Sequence, residues 1–119
     1  MLLIVLVPFI VIALQAWNRR VKQPKIAPKV IFPLHKVAGA LLLAFFFVHG
    51  LPKLLSGWAP FPNALTGGLL AVALLLAVIF GALTASSKGP RRRTLATVHR
   101  CSAIAAFVLV IAHIAVAVA

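Results

Sequence analysis

The sequence of 119 residues contains no aspartate and no glutamate. Charge is confined to 12 Lys and Arg, where a soluble domain carries about a quarter charged residues of both signs. Cysteine occurs once, at Cys101, so no disulfide can close within the chain. With no carboxylate and one thiol, the usual zinc ligand sets cannot be completed either. Long polar stretches are missing too, which leaves no room for a soluble domain. The first apolar run has no positive segment before it and no A-x-A site after it, so it does not read as a cleaved signal peptide. What fills the chain is apolar: 64% of residues are hydrophobic, in long runs separated by short basic segments. That is the layout of an integral membrane protein. A net charge of +12 also suits a nucleic-acid-binding module. Here, however, the basic residues sit between apolar runs and not on an amphipathic face, so no nucleic acid is expected as a partner.

Four membrane spans are predicted: Leu2 to Trp17 (with Pro8 inside), about Leu34 to Leu55, Leu65 to Ala85, and Leu95 to Ala119. The expected fold is all-α, a single four-helix transmembrane bundle over residues 1–119. The connectors, "NRRVKQPKIAPK", "SGWAPFPN" and "SSKGPRRR", carry Pro, Gly and Asn as turn and breaker signals. Arg19, Arg20, Lys22, Lys25, Lys29 and Lys36 surround the first connector, and Lys88, Arg91, Arg92, Arg93 and Arg100 the third, which leaves only Lys53 near the second. The excess of basic residues on one side places the first and third connectors in the cytoplasm and both termini outside it. Trp17 and Trp58 fall at the two expected interfaces, as an aromatic belt requires.

The four histidines form two pairs with one spacing. His35 and His49 bracket "HKVAGALLLAFFFVH", and His99 and His113 bracket "HRCSAIAAFVLVIAH", a separation of 14 residues in each case. Spans two and four run in the same direction, so His35 matches His99 in depth near the inner side, and His49 matches His113 toward the outer side. Fourteen residues are two heptads, which keeps both histidines of a pair on one face of a left-handed bundle. The two levels lie about 21 Å apart at 1.5 Å per residue. Imidazole is costly in hydrocarbon unless it has a partner, and four in matched pairs mark a site.

Each level offers two imidazoles from two helices. A haem iron needs just two axial ligands, because the porphyrin supplies the other four. With no C-x-x-C-H in the chain the haem is expected to be non-covalent, of b type, with two per chain held by His35/His99 and His49/His113. Small residues lie one turn along from the inner ligands: Ala38 and Gly39 beside His35, Ser102 and Ala103 beside His99. Gly39 and Ala103 are the positions expected to clear space for the porphyrin. Leu42 and Ala106 lie halfway along the same faces, and Phe45, Phe46 and Phe47 gather near His49. Cys101 is adjacent to the ligand face and reads as a small apolar residue. Haem propionates need cationic company, which Lys36, Arg100 and the Arg91–Arg93 cluster offer on the inner side and Lys53 on the outer. Positive-inside topology and binding of anionic lipids account for the same charges.

Two parallel helices, each with His-x13-His, resemble the dihaem core of the cytochrome b of bc complexes and of ferric reductase and NADPH oxidase membrane domains. The "HKVAG" turn and the short four-span length are most similar to the small four-helix dihaem b cytochromes. The resemblance covers spans two to four and implies His35, His49, His99 and His113 as axial ligands. The flavin and nicotinamide domains of the reductases and the later helices of the bc-complex protein have no counterpart, and Ala103 stands where a second Gly is expected.

The resemblance and the two stacked sites together imply an electron conduit across the membrane, a subunit of a respiratory or photosynthetic redox complex rather than a self-contained enzyme. Its expected partners are other subunits of that complex, a membrane quinone and anionic lipids, with an extracytoplasmic protein at the far end. A quinone site would take its proton-handling group from a histidine, a propionate or another subunit. The expected location is a bacterial cytoplasmic membrane. The alternative is a non-redox scaffold or small transporter subunit. A transporter is disfavoured because span three is apolar throughout and the only ionisable groups within the membrane are the paired histidines.

Overall fold

Long runs of Leu, Ala, Val and Ile have one form open to them in hydrocarbon that satisfies every backbone group within a single segment, the α-helix. A computed structural model describes residues 2–23 and 26–119, with side chains from residue 6, and among these all regular structure is helical. The helices are α1 (Leu2–Arg20), α2 (Pro28–Leu55), α3 (Phe61–Ser86) and α4 (Gly89–Val118). Lys25, counted above with the first basic connector, lies outside the described residues, as do Met1, Pro24 and the side chains that open the first span.

At 28, 26 and 30 residues, α2, α3 and α4 are long and apolar enough to cross a membrane. Little of each apolar window is buried by the protein itself, only 11% in α4. Exposed Leu, Val, Ile and Phe side chains on α2, α3 and α4 give these helices broad apolar surfaces suited to lipid. Trp17 and Trp58 are both exposed. The helices overrun the predicted spans: α2 starts at Pro28 rather than Leu34, and α4 at Gly89 rather than Leu95. The physical reason is that hydropathy marks where hydrocarbon ends, not where helix ends. Arg and Lys are good helix formers, and Pro is tolerated in a first turn, so the basic connectors supply helical turns.

The chain divides into two compact units, Met1–Phe45 and Phe46–Ala119, with the boundary inside α2. In the first, the end of α1 is tied to the connector by Asn18, whose amide donates to the Ile26 carbonyl (2.9 Å) and accepts from the Ile26 N–H (3.1 Å). Arg19 extends over the ring of Phe32, 5.6 Å from its centre. Ile31, Ala38 and Leu42 are the buried residues of α2, on the face that carries His35.

In the second unit α3 and α4 pack as an antiparallel hairpin joined by Ser87 and Lys88. The turn closes at Gly89, whose φ of 65° is left-handed. Pro62 and Pro90 open the two helices, where their missing N–H costs nothing. Ser102, Ala106 and Val110 are buried on α4, and Ala71, Ala73, Leu74 and Ala77 on α3. The α4 set, flanked by His99 and His113, follows the 3–4 alternation of a left-handed helix pair. The small residues on α3 let the two backbones approach closely.

Candidate functional site

The histidines of α4 sit on its buried seam, and α3 is the wall they meet. His99 and His113 are both half-buried. The Nδ1–H of His99 donates to the Ala77 carbonyl at 2.6 Å. A carbonyl can only accept, so Nδ1 carries a proton. His113 Nδ1 lies 2.9 Å from Thr66 Oγ1. The Thr66 hydroxyl donates back to the Pro62 carbonyl, also at 2.9 Å. It also lies 3.3 Å from the Asn63 carbonyl, and in the tautomer with its proton on Nδ1 the His113 ring donates to this hydroxyl. Both rings are thus held through Nδ1, and Nε2 is the atom a metal takes when Nδ1 is held by a second group.

Two glycines make room for these rings. A Cβ at Gly81 would stand 3.0 Å from Cε1 and Nδ1 of His99, and one at Gly67 would stand 3.3 Å from Cε1 of His113. Gly67 and Gly81 are themselves 14 residues apart, so α3 repeats the period of the histidines in the opposite direction. Sequence reasoning missed α3 altogether as a contributor. The glycine spacing was the available signal. The Ala77 carbonyl leaves no trace in a sequence.

The remaining predicted positions divide between the two units. His49, Ala103 and His113 belong to the same unit as His99, and His49 and His113 are near enough to interact electrostatically, with Lys53 in reach of both. Phe46 packs over Gly50, beside His49, and meets Phe47 edge to face at 5.5 Å between ring centres. Ala103 is half-buried between the buried Ser102 and the exposed Ile104. His35 and Gly39 belong to the first unit, both half-buried, and a Cβ at Gly39 would meet no atom within 4 Å. Leu42, in the first unit, and Ala106, in the second, are buried at 5% and 1% exposure. Cys101 is exposed and points away from that seam.

The donor set on α4 fits an axial-ligand role in haem binding: two imidazoles oriented through Nδ1, and small residues along the seam between them. No group of three or more His, Cys, Asp or Glu gathers among the described residues, and bis-histidine ligation asks for only two. Near the start of α4, Arg92, Arg93, Thr97 and Arg100 line an open groove of about 500 Å³ with Gly89 and Ala96. With three guanidiniums and no carboxylate in the chain, it is suited to anionic oxygen. Comparison with family models, with curated proteins and with solved structures yields no match.

Proposed function

We propose that the protein is a dihaem b-type cytochrome that carries electrons across a membrane as a subunit of a redox complex. The observation that carries this reading is the holding of both α4 imidazoles through Nδ1. A histidine that only had to satisfy itself in hydrocarbon could use either nitrogen. Here both rings use the same one, at positions 14 residues apart. When bound, haem supplies a one-electron change between ferric and ferrous iron. The chain supplies the rest. His99 and His113 offer Nε2 from α4, and His49 is the proposed second ligand at the His113 level. His35 is the proposed second ligand at the His99 level, on the strength of the sequence spacing. Thr66 and the Ala77 carbonyl hold ring orientation, while Gly67 and Gly81 keep the rings seated against α3.

The basic residues at the start of α4 serve two proposed partners, haem propionates and anionic lipid headgroups. A quinone and an extracytoplasmic protein are the proposed partners at the two ends of the conduit. The proposed setting is a bacterial cytoplasmic membrane with both termini outside.

Haem stoichiometry of single variants tests the ligand assignment. His99→Ala and His35→Ala should each remove one haem of two and leave the same one behind. His113→Ala and His49→Ala should each leave the other. If His49→Ala and His99→Ala lost the same haem, the pairing would be wrong.

A further inference from the structure

Turned away from its histidine seam, α4 carries a second stripe. Arg93, Thr97, Arg100, Ile104, Phe107 and Ile111 follow one another at alternating spacings of four and three residues, so they share one face of the helix. All six are exposed. The seam of Ser102, Ala106 and Val110, with His99 and His113, is the face that meets α3. At 3.6 residues per turn the stripe lies roughly 140° round the helix from it. The two halves of the stripe differ in chemistry. Its first three residues line, with Arg92, the open groove near the start of α4. Its last three are apolar, and the change falls within one turn, between Arg100 and Ile104. We propose that this face binds an anionic glycerophospholipid, with the headgroup phosphate in the groove and an acyl chain along Ile104, Phe107 and Ile111.

The donors of the groove are the guanidiniums of Arg92, Arg93 and Arg100, because the Thr97 hydroxyl already donates to the Arg93 carbonyl at 3.0 Å. Guanidiniums stay charged and meet phosphate oxygens with paired N–H bonds. The chain has no Asp or Glu to neutralise them, so the negative charge must come from a ligand. A free phosphate or a soluble acidic peptide would use the groove alone and leave the apolar half of the stripe uncovered. In a phospholipid the phosphate is joined to its chains, and the stripe joins the two matching surfaces in the same order. Chain methylenes gain dispersion contacts along the exposed Ile104, Phe107 and Ile111. Haem propionates would need the same donors, but Arg93 and Arg100 are turned off the face that carries His99. The inference deepens the lipid part of the reading above. It rests on the membrane character of the chain and on none of the haem assignments.

Native mass spectrometry of the detergent-solubilised full-length protein, titrated with dioleoyl phosphatidylglycerol or dioleoyl phosphatidylcholine, tests the assignment. Phosphatidylglycerol should be retained about tenfold more tightly, and Arg93→Gln and Arg100→Gln should each weaken it by about fivefold, the size of one cation–lipid contact. Lys29→Gln removes an exposed cation at the start of α2 and should leave retention unchanged. Ile104→Ala combined with Ile111→Ala should weaken phosphatidylglycerol several-fold, and inorganic phosphate at equal concentration should not displace it. Equal retention of the two lipids, or of neither, overturns the proposal. So do equal losses in Arg100→Gln and Lys29→Gln, which would mean diffuse charge attraction. Displacement by inorganic phosphate, with no effect of the two isoleucine changes, would make the groove a free-phosphate site. Tighter retention of phosphatidylglycerol in His99→Ala would show that propionates had held the groove. Failure of the membrane reading is distinct: the protein would stay in solution without detergent.

Discussion

Gly81 and Gly67 show how a single hydrogen atom can decide whether a side chain is seated. A methyl group at Gly81 would press on the His99 ring at 3.0 Å, closer than ordinary packing allows. Overpacking of this kind costs roughly 1–3 kcal/mol, and alanine returns about 1 kcal/mol of helix propensity. Gly81→Ala is therefore expected to be neutral to destabilising by about 2 kcal/mol, the difference of those two ranges, and to lower occupancy at the His99 site. Gly67→Ala, at 3.3 Å, should be milder. Gly68→Ala is the internal control, because a Cβ there meets nothing within 4 Å, and it should not destabilise. Unfolding of the detergent-solubilised variants, with haem content alongside, compares the three; equal behaviour of Gly81→Ala and Gly68→Ala would remove the steric argument. Gly39 makes a different case. The space beside it is open, so Gly39→Ala should be tolerated, whereas Gly39→Leu should cost occupancy at the His35 level alone if that space is for the porphyrin. Equal loss of both haems would make Gly39 a general packing position.

At the scale of elements, α4 was legible in the sequence and α3 was not. The 14-residue histidine spacing states a heptad face on each of two helices, and Leu42 lies on that face of α2 and Ala106 on that of α4. Each is buried within its own unit. The third span, by contrast, reads as uniform hydrocarbon. Glycine and threonine are ordinary in membrane helices, so Gly67, Gly81 and Thr66 carry meaning only once α3 is known to be the helix packed on α4. The Ala77 carbonyl is invisible to any reading of side chains. Helix ends were displaced for a related reason: Arg91, Arg92 and Arg93 look like a connector by hydropathy but form helical turns of α4. The hairpin predicts that disruption on α3 is felt on α4. Leu74→Ala, at a buried position between the two glycines, should lower unfolding stability by about 2–5 kcal/mol, whereas the exposed Val72→Ala should have little effect. Similar losses in both would show that the α3–α4 seam does not carry the packing described.

For the molecule as a whole, length, apolarity and one-signed charge converge on a membrane protein, with three helices long and apolar enough to cross. The asymmetry of the basic residues orders the two faces. On the proposed orientation, tags at either terminus should be reached by an impermeant reagent in intact cells, because all Lys and Arg except Lys53 flank the two connectors assigned to the opposite side. A protected C-terminus would reverse the orientation. The central claim is that this chain holds two haems on its histidine pairs. Absorption spectroscopy and haem quantification of the purified, full-length protein address it directly. The account predicts a b-type spectrum with two haems per chain, falling to one in any single histidine-to-alanine variant. A protein that folds and inserts without any haem absorbance, or whose haem content is indifferent to His99 and His113, would contradict it.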